Sequence, residues 1–312
     1  MRELVILGTA SAVPTKRRNH NGYFLRWDQE GILFDPGEGT QRQMRFAGLA
    51  PSDVTQVCVT HFHGDHCLGL PGVLQGIART RVAHPVRVAY PAAGEEYWKR
   101  LREATVFDDT ATVNPRPVGG EGGCPLGPGP RVTALPLSHR IPTFGYRIQE
   151  PDGWTMLPDR LAARGVRGPD IGRLREQGEI RTAAGDRVTL AECAAPRKGQ
   201  SMAFVMDTRW CDNALRLADQ VDLLVIESTF LDCEAELAQE TGHLTARQAG
   251  RVAREAGARQ LVLTHLSERY GLGDDPRFVA EAASEFPGSV VLAQDLHRVP
   301  LPTRPRPGLG GR

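Results

Sequence analysis

The sequence predicts an α/β fold in which two mixed sheets pack face to face and helices cover their outer faces. Near the N-terminus, short apolar or β-branched runs follow one another as in a β-meander, and further along they alternate with helical patterns. Glycine and proline separate these runs. A chain of 312 residues averages about two domains, but α/β layers of this size often form one, and we predict one catalytic domain over residues 1–299.

The individual elements follow from local periodicity and from turn residues. Strands are predicted where short apolar runs end at glycine, proline or polar residues, at 4–8, 23–27, 32–35, 56–60, 86–90, 132–137, 144–149, 202–206, 223–226, 260–264 and 290–293. Helices are predicted where apolar residues recur every three or four positions, at 41–47, 66–78, 94–104, 212–218, 232–239, 245–256 and 276–285. Clustered glycine and proline predict a loop over 114–130 and a flexible tail over 300–312.

Residues 150–200 interrupt this alternation. The segment is polar, is broken by glycine and proline, and has little apolar periodicity. Its many arginines are nearly balanced by acidic residues. Its composition is as compatible with a solvated excursion of mixed charge as with an RNA-contacting arm.

Composition bounds the class of protein. The net charge is +1, so any site for a polyanion has to be a local patch. The six cysteines form no regular framework and resemble the reduced thiols of a cytosolic protein. The chain enters a strand-like run at residue 4 without a signal region, and no apolar run approaches the roughly 20 residues of a membrane span. We therefore predict a cytoplasmic enzyme without a membrane segment.

The strongest chemical signal lies directly after the predicted strand 56–60. Four side chains that can bind a metal, His61, His63, Asp65 and His66, occur within six residues. His61 and His63 leave the strand on one side of an extended backbone, and a glycine permits a sharp turn before Asp65 and His66. Buried together without a cation, these groups would repel or stay unsatisfied, so metal binding is favoured over a structural role.

Three more candidate ligands stand at the ends of predicted strands: His139, Asp207 and His265. Any one of them could be an ordinary strand terminus. Together with the first cluster they supply five imidazoles and two carboxylates, which suffice for two zinc ions with open positions for water.

The segment 61–66 resembles the metal motif of the metallo-β-lactamase superfamily, whose fold is an αβ/βα sandwich with its site at one rim of the two sheets. Further stretches are similar to the ribonuclease Z family of tRNA 3′-end endoribonucleases. They are Pro-Thr-Lys-Arg-Arg-Asn at 14–19, the acidic and glycine-rich block at 32–43, the continuation of the metal motif to residue 72, and Leu-Thr-His-Leu-Ser-Glu-Arg-Tyr at 263–270.

The resemblance implies two Zn²⁺ per subunit, with Mn²⁺ also possible. One zinc would be held by His61, His63 and His139, the other by Asp65, His66 and His265, and Asp207 would bridge them. Such a centre would hydrolyse a phosphodiester to remove the 3′ trailer from precursor tRNA. Asp65 would also orient or deprotonate the attacking water, although a role as ligand only is nearly as well supported.

A histidine and a glutamate are candidates for proton transfer to the leaving oxygen. His243 precedes the predicted helix 245–256, where the family has His-Ser-Thr and this chain has His-Leu-Thr. Glu227 lies in Ile-Glu-Ser-Thr, where the family has His-Glu-Ala-Thr. We expect His243 to be the acid and Glu227 to keep it protonated. The structural alternatives are a loop histidine and an ordinary acid at a strand end.

The resemblance also implies contacts with RNA. The family carries a Gly-Pro-containing arm that grips the tRNA elbow, and Gly168 and Pro169 fall in the matching part of an arm at about 150–198. Near the scissile bond, the motifs offer Lys16, Arg18, Asn19 and Arg269. Members of the family are homodimers in which one subunit's arm serves the partner's site, and we expect the same here.

Two other functions are compatible with parts of the pattern. With the same fold and metals, the chain could be a small-molecule phosphodiesterase, an arylsulfatase-like enzyme or a lactamase-type hydrolase. The arm and the loop at 14–19 argue against this, because a small substrate requires neither. A non-enzymatic RNA-binding or scaffold protein is disfavoured by the complete set of ligand positions.

Overall fold

The computed structural model describes residues 2–120, 122–123 and 129–304. Contacts divide the chain into two compact units. The larger unit takes in residues up to Gln149 and from Ser201 to Pro302. The smaller one comprises Glu150–Gln200, together with Thr303 and Arg304 among the described residues. Among the described residues, no helix combines the length and the apolar character that crossing a bilayer requires.

The first sheet of the larger unit has seven strands in the order β18-β1-β2-β3-β4-β5-β6. An antiparallel meander, β1 to β3, continues into three parallel strands, while β18 pairs antiparallel with β1. The strands are Arg2–Gly8 (β1), Gly22–Trp27 (β2), Glu30–Phe34 (β3), Gln56–Cys58 (β4), Val86–Pro91 (β5), Val113–Val118 (β6) and Arg298–Pro300 (β18).

The second sheet also has seven strands, in the order β17-β16-β15-β14-β9-β8-β7. Four parallel strands, β17 to β14, continue into an antiparallel part. The strands are Gly122–Gly123 (β7), Arg131–Pro136 (β8), Phe144–Gln149 (β9), Ser201–Val205 (β14), Leu223–Glu227 (β15), Gln260–Thr264 (β16) and Ser289–Leu292 (β17).

Alternate side chains of each strand enter different apolar layers. Leu4 and Ile6 point into a core shared by both sheets, whereas Val5 and Leu7 face the helices outside the first sheet. In the shared core, the rings of Phe34 and Phe204 stack with centroids 4.6 Å apart. This arrangement of helix, sheet, sheet and helix confirms the predicted αβ/βα sandwich.

Helices cover both outer faces of the larger unit. Beside the first sheet lie Thr40–Phe46 (α1), Gly64–Cys67 (α2), Leu70–Arg79 (α3) and Glu95–Arg102 (α4). The helices that pack on the second sheet are Asp212–Ala218 (α8), Ala246–Glu255 (α10) and Asp275–Ala283 (α11). The remaining helix of this part of the chain is Ala235–Thr241 (α9). Short 3₁₀ turns occur at Pro51–Asp53, Ala92–Gly94, Asp232–Glu234 and Leu272–Asp274.

The smaller unit is folded around an apolar core of its own. Its helices are Pro158–Ala163 (α5), Pro169–Gln177 (α6) and Leu190–Cys193 (α7), and two hairpin-like pairs join Gly153–Met156 (β10) to Ala194–Arg197 (β13) and Glu179–Arg181 (β11) to Arg187–Thr189 (β12). Leu161, Leu174 and Val188 are among its buried residues. Periodicity did not reveal this core, because each short element buries only one or two side chains.

Three local predictions differ from the structure. The single helix predicted over 66–78 is two helices, which are separated at Leu68 and Gly69. Part of the loop predicted over 114–130 is strand β6, whose prolines are tolerated because β6 is the edge of its sheet. At the C-terminus, Pro300 pairs with Glu3 and Leu301 is buried, so the sheet extends into the predicted tail, whose residues 305–312 lie outside the described range.

Candidate metal centre

The predicted ligands lie where strands of the two sheets end. His61 and His63 follow β4, His139 follows β8, Asp207 follows β14 and His265 follows β16. Strands β8, β14 and β16 run in the same direction, so their carboxyl ends meet at one edge of the second sheet. The structure brings together all seven predicted ligands, including Asp65 and His66 of α2.

Three imidazoles and one carboxylate form the first donor group. His63 Nδ1 lies 2.9 Å from His61 Nε2 and 3.4 Å from His139 Nε2. Asp207 Oδ2 lies 3.6 Å from His61 Nε2 and 3.7 Å from His139 Nε2. The four donor atoms are all within 4.8 Å of one another, as the ligands of a single cation would be.

A second donor group lies next to the first. His66 Nε2 is 3.2 Å from His265 Nε2 and 3.2 Å from Asp65 Oδ2, and Asp65 Oδ2 is 3.6 Å from His265 Nε2. His66 and His265 are fully buried, and Asp65 is partly exposed. One face of this group is therefore open for a substrate or a water molecule.

Asp207 joins the two groups. Its Oδ2 faces the first group, whereas its Oδ1 lies 3.2 Å from His66 Nε2 and 3.0 Å from His265 Nε2. Among the described residues, no group donates a well-aligned hydrogen bond to the buried Oδ1, although these two ring nitrogens lie close to it. A buried carboxylate oxygen without a donor fits a cation better than a purely structural role. Imidazole and carboxylate donors suit zinc and manganese.

In His66 and His139, the ring nitrogen that points away from the donor groups, Nδ1, has a hydrogen-bond partner. Asp35 accepts from His66 Nδ1 at 2.8 Å and also from Thr60, both through the backbone N at 2.7 Å and through the hydroxyl at 2.8 Å. His139 Nδ1 donates to the carbonyl of Gly242 at 2.9 Å. Such partners fix the tautomer and ring orientation of a ligand. Asp35 was not assigned this role from sequence, because 31 residues separate it from His66.

Three residues of the centre have a left-handed backbone. The φ angles are 43° at Asp35, 45° at Asp207 and 62° at His265, and each residue follows the end of a strand. Non-glycine residues rarely adopt this conformation, and a strained backbone concentrates at functional sites. Here it turns the chain sharply, so that the side chain at the strand end faces the centre.

Burial lowers the pKa of His61, His63 and His139, which keeps these imidazoles neutral and able to donate a lone pair. Burial opposes charge on His66 as well, but the carboxylates of Asp207, Asp65 and Asp35 raise its pKa well above the ordinary value. Without metal, His66 therefore holds a proton among carboxylates, and a bound cation would replace it.

Both candidate carboxylate ligands stay ionised. Burial favours the neutral form of Asp65, but the positive charge of His66 outweighs burial and holds the pKa of Asp65 far below the ordinary value. Burial has the same effect on Asp207, and His265 and His66 outweigh it. Ionised oxygens are the form in which carboxylates bind metal.

His243 and Glu227 lie beside the centre, as predicted from sequence. Glu227 is fully buried, and its Oε1 is 3.1 Å from His243 Nδ1. His243 Nδ1 also lies 4.0 Å from Asp207 Oδ2. Burial lowers the pKa of His243, but the Glu227 carboxylate outweighs burial and raises it to about 9. An imidazolium is therefore available beside the centre at neutral pH.

The predicted RNA contacts have different environments. Arg18 is buried, and its guanidinium donates to Thr9 Oγ1 at 3.0 Å, to the carbonyl of Ala293 at 3.1 Å and to Asp275 at 2.8 Å. Because these internal partners occupy Arg18, we do not retain it as an RNA contact. The side chain of Asn19 donates to two backbone carbonyls and so shapes the same loop.

Lys16 is exposed and lines a surface cavity of about 380 Å³ that Glu268 and Tyr270 also line. The loop at 14–19 and the block at 263–270 are therefore neighbours. Arg269 pairs with Glu234 and keeps 44% of its side chain exposed. Gly168 and Pro169 lie in the smaller unit, where Gly168 has a φ of 53° and Pro169 starts α6.

Comparison with known proteins identifies the family. The model of the metallo-beta-lactamase superfamily matches residues 15–181, and a related beta-lactamase superfamily domain matches residues 173–266. The chain is 64% identical to ribonuclease Z of Thermobifida fusca, over 99% of this chain and 98% of that protein. It is 58% identical to ribonuclease Z of Nocardia farcinica, over 97% and 99%. The chain belongs to the ribonuclease Z family.

Solved structures agree at the level of the fold. Human tRNase Z, short form, superposes with a TM-score of 0.69 at 24% identity, covering 96% of this chain and 100% of that one. The metallo-beta-lactamase fold protein YhfI of Bacillus subtilis gives 0.68 at 19% identity, covering 95% and 98%. Family membership confirms the sequence-based interpretation as a metal-dependent hydrolase of the ribonuclease Z type.

Proposed function

We propose that this ribonuclease Z family member is an endoribonuclease that hydrolyses a phosphodiester in precursor tRNA, removes the 3′ trailer and leaves a 3′-hydroxyl on the tRNA. The observation that carries the proposal is the pair of donor groups joined by Asp207, in a chain 64% identical to a ribonuclease Z. Such a pair is suited to phosphodiester hydrolysis.

The centre would hold two Zn²⁺ per subunit, and Mn²⁺ could replace zinc because the ligands are imidazoles and carboxylates. The first group provides His61, His63 and His139, the second provides Asp65, His66 and His265, and Asp207 contributes one oxygen to each. Bound divalent cations supply Lewis acidity, which favours ionised water and neutralises the charge that grows on a phosphate under attack.

Asp65 orients the attacking water. Its lowered pKa keeps the carboxylate ionised, so that Asp65 can accept a hydrogen bond from the water but is a weak base. Asp65 is also the partly exposed carboxylate of the centre, whereas Asp207 is buried. It therefore fixes the direction of the water while acting as a ligand.

His243 supplies the proton that the departing ribose 3′-oxygen requires. Glu227 accepts from His243 Nδ1, which leaves Nε2 as the position of the proton to be transferred. The raised pKa keeps this proton in place at neutral pH. Glu227 acts through His243 and is a positioning residue.

RNA is held outside the reacting centre by exposed groups. Lys16 and Arg269 contact phosphates near the scissile bond, and Asn19 keeps the loop that carries Lys16 in shape. In the arm, the turn at Gly168 and Pro169 contacts the body of the tRNA. A local patch of this kind is sufficient for a chain whose net charge is only +1.

The active form is a cytoplasmic homodimer in which the arm of one subunit serves the site of its partner. Light scattering would give twice the chain mass of 34.1 kDa. Alone, a subunit that lacks residues 150–200 should cleave precursor tRNA at least about tenfold less efficiently, and a subunit with His66→Ala should not cleave it, whereas mixing the two should restore cleavage. A monomeric mass, or no recovery in a mixture that does form dimers, would contradict this assembly.

The function is tested with a precursor tRNA that carries a 3′ trailer, incubated with the protein in the presence and absence of a chelator. We expect one metal-dependent cut near the discriminator base and mature-length tRNA with a 3′-hydroxyl. Asp207→Asn should abolish the cut, and the exposed Asp212→Asn serves as the matched control. Cleavage of a chromogenic phosphodiester alone, with the precursor left intact, would sink the proposal.

A further inference from the structure

Besides His243, Glu227 contacts other residues around the centre. Its Oε1 also accepts from the backbone N of Thr208 at 2.7 Å, directly after Asp207. Its Oε2 accepts from the hydroxyl of Thr229 at 2.6 Å and from the backbone N of Leu244 at 3.1 Å. The buried carboxylate therefore holds several segments that meet at the centre.

Thr229 extends this contact to a metal ligand. It is almost fully buried, and its hydroxyl oxygen lies 2.7 Å from His265 Nδ1. A hydroxyl has a single proton, and an ionised carboxylate can only accept. Since Thr229 donates its proton to Glu227, its oxygen accepts from His265, and the proton of His265 is on Nδ1.

The other ring nitrogen of His265 is thereby left with its lone pair. His265 Nε2 faces Asp207 Oδ1 at 3.0 Å and Asp65 Oδ2 at 3.6 Å, in the second donor group. A threonine in place of a direct carboxylate still fixes both the tautomer and the ring plane. His243 is 3.4 Å from the same hydroxyl, but its Nδ1 is closer to Glu227 Oε1, at 3.1 Å.

We propose that Thr229 is a positioning residue that orients His265 for metal binding, and that Glu227 thereby sets the metal ligand and the proton donor His243 together. The inference rests on the proposed function only in taking His265 as a ligand and His243 as the acid. It assigns two tasks to the Glu227 carboxylate: it holds the hydroxyl that orients His265, and it pairs with His243.

The test compares Thr229→Val, which keeps the shape of the side chain and removes the hydroxyl, with Thr229→Ser, which keeps the hydroxyl. Chelator-treated protein is titrated with Zn²⁺. In Thr229→Val, we expect one of two equivalents to bind about 10- to 100-fold more weakly, and Thr229→Ser to bind both nearly as the wild type does. Thr55→Val is the matched control. The hydroxyl of Thr55 also donates to a partly buried glutamate, Glu30, but Thr55 precedes β4, whereas the candidate ligands His61 and His63 follow it.

Wild-type affinity for both equivalents in folded Thr229→Val would overturn the proposal. So would equal weakening in Thr229→Ser and Thr229→Val. Thr229→Ala replaces Thr229→Val if the latter does not fold. If neither folds, ¹⁵N-histidine spectra of the wild-type zinc form decide, since the proposal requires a slowly exchanging proton on His265 Nδ1. Normal zinc binding with an uncut precursor tRNA would contradict the proposed function and leave the role of Thr229 intact.

Discussion

At the residue scale, the charge state of His243, which we propose as the proton donor, depends mainly on the neighbouring Glu227 carboxylate. His243 is buried enough that its pKa would fall without a partner, and the Glu227 carboxylate raises it to about 9. Glu227 in turn stays ionised because His243 and its other donors outweigh burial. The family's His-Glu-Ala-Thr and His-Ser-Thr sequences are altered here at Ile226, Ser228 and Leu244, of which Ile226 and Leu244 are buried in the apolar layer of the second sheet and its helices. The contact between Glu227 and His243 is present with these residues.

Glu227→Gln should therefore move the alkaline limb of the pH profile. The acid form of His243 is required, so activity is present below its pKa and is lost as pH rises through that pKa. Removing the negative charge lowers this pKa, and kcat/KM of Glu227→Gln should decline at lower pH than that of the wild type. Bound metal ions lower the pKa of His243 in both the wild type and Glu227→Gln, so the difference between the two proteins is still expected. Glu240→Gln, an exposed change on α9, is the control, and an unshifted limb would remove Glu227 from this role.

Two basic residues of the loop at 14–19, Lys16 and Arg18, should have different effects when they are replaced by alanine. Arg18 is buried and paired with Asp275, so Arg18→Ala should lower the free energy of unfolding by about 2 kcal/mol. Lys16 is exposed, so Lys16→Ala should leave stability unchanged and raise KM for precursor tRNA. Urea unfolding and steady-state kinetics on both variants make the comparison. Equal stability of Arg18→Ala and Lys16→Ala would contradict the internal role of Arg18.

At the element scale, the strand ends determine the geometry of the centre. Parallel strands end at one edge, and Asp35, Asp207 and His265, which follow strand ends by one or two residues, have a left-handed backbone. The first sheet tolerates the prolines of β6 because that strand is at its edge. Local pattern predicted these strand ends to within one or two residues, but it did not predict the backbone conformation of the residues that follow.

The arm is an element that can be removed. Gln149 and Ser201 are paired neighbours on β9 and β14, so a two-residue turn can replace residues 150–200. The shortened protein should bind metal and cleave a small chromogenic phosphodiester as the full chain does. Cleavage of precursor tRNA should lose at least about tenfold in kcat/KM, because phosphate contacts are lost. A shortened protein that cleaves the precursor normally would show that the arm has no part in binding.

At the scale of the whole molecule, metal and fold are expected to stabilise each other. The centre gathers buried carboxylates and a protonated His66 from both sheets, and cations that replace this proton bind only the folded state. Free Zn²⁺ at 100 times its Kd should raise the free energy of unfolding by about 2.7 kcal/mol per site. Thermal melts with zinc and with chelator measure this. Identical melting temperatures, with metal loss verified by elemental analysis, would contradict the coupling.

The sequence alone determined the two-sheet fold and the family, and it singled out the seven candidate ligands and the pair His243 and Glu227. These are local properties, because the periodicity of a strand and the residue that follows it depend on neighbouring positions in the sequence. Only the tertiary structure decided that Arg18 faces inward, that Asp35 supports His66, that Thr229 lies between Glu227 and His265, and that the arm has its own core. These depend on side-chain direction and on contacts between residues far apart in the chain, such as the 257 positions between Arg18 and Asp275.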